Sequence, residues 1–200
     1  MALNFANNNS LSAITTKPSG LSGGALNLIS TQTASSSSTI SFTSGIDSTY
    51  DEYVFKFYDI HPASDNVTFQ VGFRDGSTAY DATKTTTFFR AYHDEGDSAT
   101  ALEYQTGKDL AQGTGFQPII IDMGTDNDQS GCFRLHLFDP SSTTFVKNFT
   151  STMQNYHNAD LSNQLYVGGY CNVTAAIDGV QFKMSSGNID AGTIKMYGVN

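Results

Sequence analysis

Two acidic loops stand out for ligand chemistry. "HDEGD" carries Asp94, Glu95 and Asp97, and "DMGTDNDQSG" carries Asp122, Asp126 and Asp128. Calcium takes several oxygen ligands from a tight loop. Asp126, Asp128 and Ser130, with Asn127 between the acids, offer oxygens in that pattern. The twelfth position counted from Asp126 is Leu137, so the bidentate glutamate of an EF-hand is missing. Asp, Asn and Gly are also the ordinary residues of turns. The expectation is turn formation, with Asp126, Asp128 and Ser130 as the calcium candidates and no resident cofactor.

Catalytic patterns are thin. Glycoside hydrolysis needs an acid and a base flanking a groove, and the acids associated with strands are Glu52 and Glu103. Nothing in their spacing marks them. "GLSGG" at 20–24 fits a nucleophile elbow only if a strand precedes it and a helix follows; a Gly/Ser linker is the simpler reading. The histidines are scattered. His61 precedes Pro62 in an expected turn, His93 opens "HDEGD", His136 sits beside Arg134 on a polar strand face, and His157 lies in "NYHN". None has metal spacing, and a surface or turn role is expected for each. The chain is read as non-enzymatic, with no catalytic residue assigned. A ligand face is the stronger alternative: Tyr92, Tyr104, Tyr166 and Tyr170 lie among Asn- and Gln-rich loops, although tyrosine also suits half-buried strand faces.

Something must position these groups, and the composition points to strands. Of 200 residues only 14% are charged, 12% are aromatic (Phe and Tyr, no Trp), and Ser, Thr, Asn and Gly fill the rest. The net charge of −9 makes nucleic acid an unexpected partner, because phosphate binding relies on clustered Lys and Arg. No apolar stretch approaches a membrane span, so membrane insertion is not expected. No basic start or apolar core follows Met1, so no secretory signal is expected. The four Asn-x-Ser/Thr triplets, at Asn8, Asn66, Asn148 and Asn172, are then read as unglycosylated. Cys132 and Cys171 lack zinc spacing and are expected as free structural thiols.

Residues 1–25 are polar, with isolated apolar positions Leu3, Phe5, Leu11 and Ile14, and form an extended N-terminal arm or leader that cannot build a core. Residues 26–200 form the folded domain. Short strand candidates follow one another between turn residues: "ALNLISTQT", a joint "ASSSS", "STISFT", then "EYVFKFYDI" with Tyr53, Phe55 and Phe57 on one face. "VTFQVGFR" turns Val67, Phe69, Val71 and Phe73 inward, after which 75–85 read as a loop. "TTFFRAYHDE", "TALEYQT", "GFQPIIIDMG" with its apolar Ile119–Ile121, and "GCFRLHLFD" with Phe133, Leu135 and Leu137 inward come next. "TTFVKNFTSTM", "QLYVGGYC" and "IDGVQFKM" precede the last strand, where Thr193, Lys195 and Tyr197 alternate with Ile194, Met196 and Val199. "NYHNADLSN" is expected to hold one short helical turn. Eleven or twelve strands at this spacing predict an all-β, antiparallel, jelly-roll-like β-sandwich in which the terminal strand pairs inside a sheet.

The stretch "LNLISTQTASSSSTISFTSGIDSTYDEYVFKFYDIHPASDNVTFQVGFRDG" and the closing "SGNIDAGTIKMYGV" resemble β-rich virion structural proteins of marine bacteriophages of the cyanophage and pelagiphage type. The shared features are the Ser-rich joint before "TISFTSGID", the "YVFKF" strand, the "IHPA" turn and the "GTIKxYG" end. The resemblance implies a virion component, folded in the host cytoplasm, that contacts other capsid or tail proteins and forms a homo-oligomer, with a trimer the leading symmetry. It transfers no catalytic residue. A capsid decoration or tail-associated role leads. Host-glycan recognition by a tail-fibre module is the first rival, and glycan depolymerisation the second.

Overall fold

The computed structural model describes residues 25–199. The twelve strands are β1 (Leu26–Ser37), β2 (Ile40–Phe42), β3 (Glu52–Pro62), β4 (Val67–Arg74), β5 (Lys84–Asp94), β6 (Thr100–Tyr104), β7 (Gln117–Met123), β8 (Gly131–Phe138), β9 (Lys147–His157), β10 (Leu161–Cys171), β11 (Gly179–Met184) and β12 (Ile189–Val199). No helix occurs among the described residues. The all-β expectation holds, and every ladder is antiparallel.

The ladders join all twelve strands into one nearly closed, barrel-like sheet. One run reads β1-β12-β3-β8-β9-β10-β5-β6, and the other β7-β4-β11-β2. A single residue pair, Met123↔His157, joins the two through β7 and β9. β12 is an interior strand: it lies between β1 and β3, so the first and last described strands meet in one ladder. Its residues are held by hydrogen bonds on both sides.

Alternation decides most of the interior, and a continuous apolar run in β7 adds to it. Val67, Phe69, Val71 and Phe73 are buried, as are Tyr53, Phe55 and Phe57, Ile119–Ile121, and Phe133, Leu135 and Leu137. Phe57 stacks on Phe133 at 3.9 Å between centroids and meets Phe182 edge-on at 4.9 Å, while Phe69 stacks on Phe182 at 5.8 Å. These rings come from both runs, so the aromatic cluster holds the two together. Offset and edge-to-face contacts of this kind contribute beyond area burial.

Several expectations are corrected. "NYHNADLSN" holds no helical turn; it is the tight connection of the β9–β10 hairpin, closed by Asp160 N–H to His157 O at 3.1 Å. Asp160 adopts a φ of 56°, a left-handed turn conformation that Asp tolerates. The "ASSSS" joint is mostly strand: β1 runs to Ser37 because Ala34, Ser35 and Ser37 pair with Gly192, Ala191 and Ile189. His61 lies within β3 rather than in a turn. "TTFVKNFTSTM" becomes strand only at Lys147, and Phe145 stands 71% exposed in the preceding loop. In β12 the buried residues are Ile189, Ile194, Met196 and Gly198, so Val199 falls on the face of Tyr197. The parity of a strand cannot skip a residue without a bulge. Leu3, Phe5, Leu11 and Ile14 lie outside the described residues.

Candidate functional site

The sequence-marked acids serve as turn formers. The Asp94 carboxylate accepts from Ser98 N–H at 2.8 Å and Ala99 N–H at 2.7 Å. The hydrogen bond from the Ser98 hydroxyl and those backbone donors hold its carboxyl below the ordinary range. In the calcium-candidate loop Asp126 and Asp128 are exposed, and Gln129 is buried beneath them. The Asp126 carbonyl accepts from Gln129 N–H at 2.9 Å and faces His61 Nε2 at 3.3 Å. Ser130 lines the same open groove of about 430 Å³ with Asp59, Asp128 and Asp190. Among the described residues no three His, Cys, Asp or Glu side chains converge as a metal site.

Glu52 and Glu103 lie far apart in the ladder order and have separate partners. Glu52 pairs with His136 Nδ1 across β3 and β8. Glu103 accepts from Arg90 Nε at 2.6 Å across β5 and β6. Arg90 also approaches Asp122 at 4.0 Å, and His157 Nε2 lies 3.4 Å from the same carboxylate. The His157 hydrogen bond, with further help from nearby positive charge, lowers the Asp122 pKa against burial. His157 is only 8% exposed, contrary to its expected surface role, because the inward face of β9 carries it. This network ties the edge strand β6 to β7 and β9. Asn163 and Asn155 are buried beside it, and Asn163 Nδ2 donates to Asn155 Oδ1 at 3.1 Å.

A second polar group lies inside. Lys84, Cys171 and Lys147 are directly opposite one another on β5, β10 and β9, all 0% exposed. Lys147 Nζ donates to the carbonyls of Ser142, Phe145 and Val173 at 2.8–3.2 Å, whereas Lys84 Nζ reaches Ala82 O at 2.5 Å. Burial pushes both ammonium groups down and the Cys171 thiol up to about 12. Such a thiol is unreactive. Both cysteines are free, as expected, with Cys132 exposed.

The tyrosine candidates divide between faces. Tyr104 (β6), Phe89 (β5) and Tyr166 (β10) are cross-strand partners on the outer face, and Phe89 stacks on Tyr166 at 4.9 Å. All three rings are 37–48% exposed. The Tyr104 hydroxyl donates to Asp109 Oδ2 at 2.6 Å, leaving its ring available. Tyr170 shares that face in a separate row with Thr85 and Asn148. Tyr92 points to the opposite side, beneath Arg90 at 4.6 Å.

The aromatic row continues across the sheet as Tyr104–Phe89–Tyr166–Thr152–Arg134–Lys56–Lys195–Thr31, one residue from each of eight neighbouring strands. Over its middle lies a shallow concavity of about 380 Å³, lined by Lys56, Tyr58, Arg134, Thr152, Gln154 and Gln164. Its rim at Tyr58–Asp59 is a bulge of β3, which slips register against both β8 and β12 there. Asp59 takes a φ of 51°, and its N–H donates to Cys132 Sγ at 3.3 Å. Gly192 admits the bulge: its φ is 127°, and a Cβ there would meet Ile60 Cα at 2.9 Å. The sequence contained each of these residues, but no local pattern shows that 56, 134 and 195 become neighbours.

No family model, curated protein or solved structure matches the chain.

Proposed function

We propose that this chain is a non-enzymatic structural protein of a bacteriophage virion, displayed on the particle surface as a capsid decoration or cement protein or as a tail-associated part. Its arm, residues 1–25, anchors it to a capsid or tail neighbour. The observation that carries the reading is spatial. The segments resembling marine phage virion proteins come from opposite ends of the chain, yet they supply β1, β12 and β3, three consecutive strands of one ladder. A resemblance in two distant segments that pair with each other marks a folded unit rather than shared composition. In this reading the two strand runs act as the leaves of a jelly-roll-like sandwich. The chain folds in the host cytoplasm and assembles as a symmetric homo-oligomer, a trimer. The arm leads directly into β1, whose outer edge has no ladder partner among the described strands and is open to strand-mediated assembly.

Immunogold labelling of intact particles tests this. Label on the head supports decoration, label at the tail supports a tail part, and particles without label overturn the virion reading. Removing residues 1–25 is expected to leave the thermal melt unchanged and abolish incorporation into particles. A collapsed melt would make the arm part of the folded unit instead.

One observation favours a second reading, a module that recognises host surface glycans: the exposed Phe89–Tyr166 stack beside Tyr104. The uncovered faces and edges of such a stack offer apolar surface to the C–H faces of sugars while the tyrosine hydroxyls stay wet.

A further inference from the structure

We infer that the outer-face row is a binding strip for a linear acidic polysaccharide, with Lys195, Lys56 and Arg134 holding its carboxylate or sulfate groups and Tyr166 and Phe89 stacking on a neighbouring sugar. The inference rests on the glycan-recognition reading of this face and is independent of where the protein sits on a particle.

The row contains an unfavourable arrangement. Lys195 faces Lys56 directly, and Lys56 faces Arg134 directly, on β12, β3 and β8. Like charges directly opposite destabilise a sheet. The chain has only ten Lys and Arg against nineteen Asp and Glu, so placing three cations in one line is costly where carboxylates are abundant. Arg74 is committed to Asp178, Arg90 to Glu103, and Lys84 and Lys147 to interior carbonyls; Lys108 and Lys183 also lack an ion pair among the described residues, but neither faces another cation across a ladder. Among the described residues the side chains of Lys56, Arg134 and Lys195 make neither an ion pair nor a hydrogen bond. Of the nearby acids, Glu52 is paired with His136, and Asp59 accepts from the Cys132 thiol at 3.4 Å and makes no ion pair with these cations. Residues 1–24 contain no Asp or Glu, so they cannot supply the missing counter-charge.

The cations are aimed, not loose. Lys56 Nζ lies 5.3 Å from the Tyr197 ring centroid, and Lys195 Nζ lies 5.8 Å from that of Tyr58. Ring contacts restrain an ammonium group while leaving its donors free. Neighbouring strands place successive charges roughly 5 Å apart along a straight line. That spacing suits a polymer carrying a charge on each sugar or every second sugar.

The rest of the row selects the polymer class. Past Arg134 come Thr152, then Gln154 and Gln164 beside it, then the Phe89–Tyr166 stack. Hydroxyls and amides match sugar hydroxyls, and the rings match pyranose faces. Three cations in a line fall short of the clustered Lys and Arg on which nucleic-acid binding relies. An acidic protein loop would leave the aromatic half unused.

Affinity electrophoresis of the full chain tests the strip, in gels containing polygalacturonate, dextran sulfate or neutral dextran, with a single-stranded oligodeoxynucleotide as competitor. Retardation is expected in one or both acidic gels, weakening as salt is raised, and not in dextran. Polygalacturonate alone would identify carboxylates as the ligand groups, and dextran sulfate alone would identify sulfates. Lys56→Gln, Arg134→Gln and Lys195→Gln are each expected to weaken retention about tenfold, and Tyr166→Ala to weaken it further. Lys183→Gln, on β11 away from the strip, should bind as the parent. Thermal melts of the Gln variants should match or exceed the parent, which separates lost binding from lost folding. Equal retention in dextran would overturn the acidic preference and leave a glycan face. Absence of retention in all three gels would overturn both. Undiminished binding in the triple Gln variant, or displacement by the oligonucleotide at lower concentration than by free polygalacturonate, would overturn the assignment to this strip.

Discussion

On β3, β8 and β12 the inward and outward residues obey opposite rules. Inside, Phe55, Phe57, Phe133 and Met196 are buried and interlocked, and each change of shape there is felt. Outside, on the same strands, Lys56, Arg134 and Lys195 are set where they repel one another. The backbone is shared, so the difference is not one of secondary structure. Period-2 alternation lets one strand serve two purposes: its core face is selected for stability, and its outer face is free to carry groups that stability alone would not choose.

The largest effect that sharpens this contrast is in the aromatic interior. Phe69→Ala should cost about 3–5 kcal/mol in urea unfolding, because Phe69 is fully buried against Phe57, Phe133 and Phe182. A change below about 1 kcal/mol would mean that the cluster is not what holds the two runs together.

The polar interior comes next. Lys147→Met should cost about 1–3 kcal/mol, since three carbonyls lose their donor, whereas Lys84→Met leaves one carbonyl and should cost less. Equal costs in chemical denaturation would break the distinction between the two lysines.

The outer face should behave in the opposite sense. Lys56→Gln is expected to raise stability by about 0.2–1 kcal/mol by relieving two cross-strand repulsions. A loss of that size would show that its contact with Tyr197 outweighs them.

The smallest effect is on acid stability. Asp122 is an acid whose folded pKa lies below its ordinary 3.8, chiefly through the His157 hydrogen bond. Between those two values the unfolded chain binds more protons. Its contribution is therefore present above pH 3.8 and lost as pH falls through the folded value. Asp122→Asn should flatten that part of the stability curve and leave the neutral region nearly parallel to the parent. An unchanged acid limb would mean that this network adds nothing to folding.

Much of the fold was legible because alternation is a local property. The inward sets of β3, β4 and β8 follow from side chains two apart, the burial of β7 from its continuous run Ile119–Ile121, and the turns from Gly, Asn and Asp. The readings that failed lay where tertiary pairing overrode local preference. Ser35 and Ser37 are strand only because β12 pairs with them, and "NYHNADLSN" is a hairpin because β9 and β10 bond along eleven residue pairs. Of the tyrosines, Tyr104 and Tyr166 were recognisable as exposed aromatics, yet only register showed that Phe89 links them and that Tyr92 faces away.

By itself, then, the sequence determined the strand class, the inward residues of β3, β4 and β8, the apolar run of β7 and the scarcity of positive charge. The tertiary structure alone decided that positions 56, 134 and 195 stand in one line, that Lys84, Cys171 and Lys147 share an interior row, and that β1 pairs with β12. The physical reason is that a side chain's face is set by its immediate neighbours, whereas its partner across the ladder is set by pairing between distant segments, which no local pattern encodes.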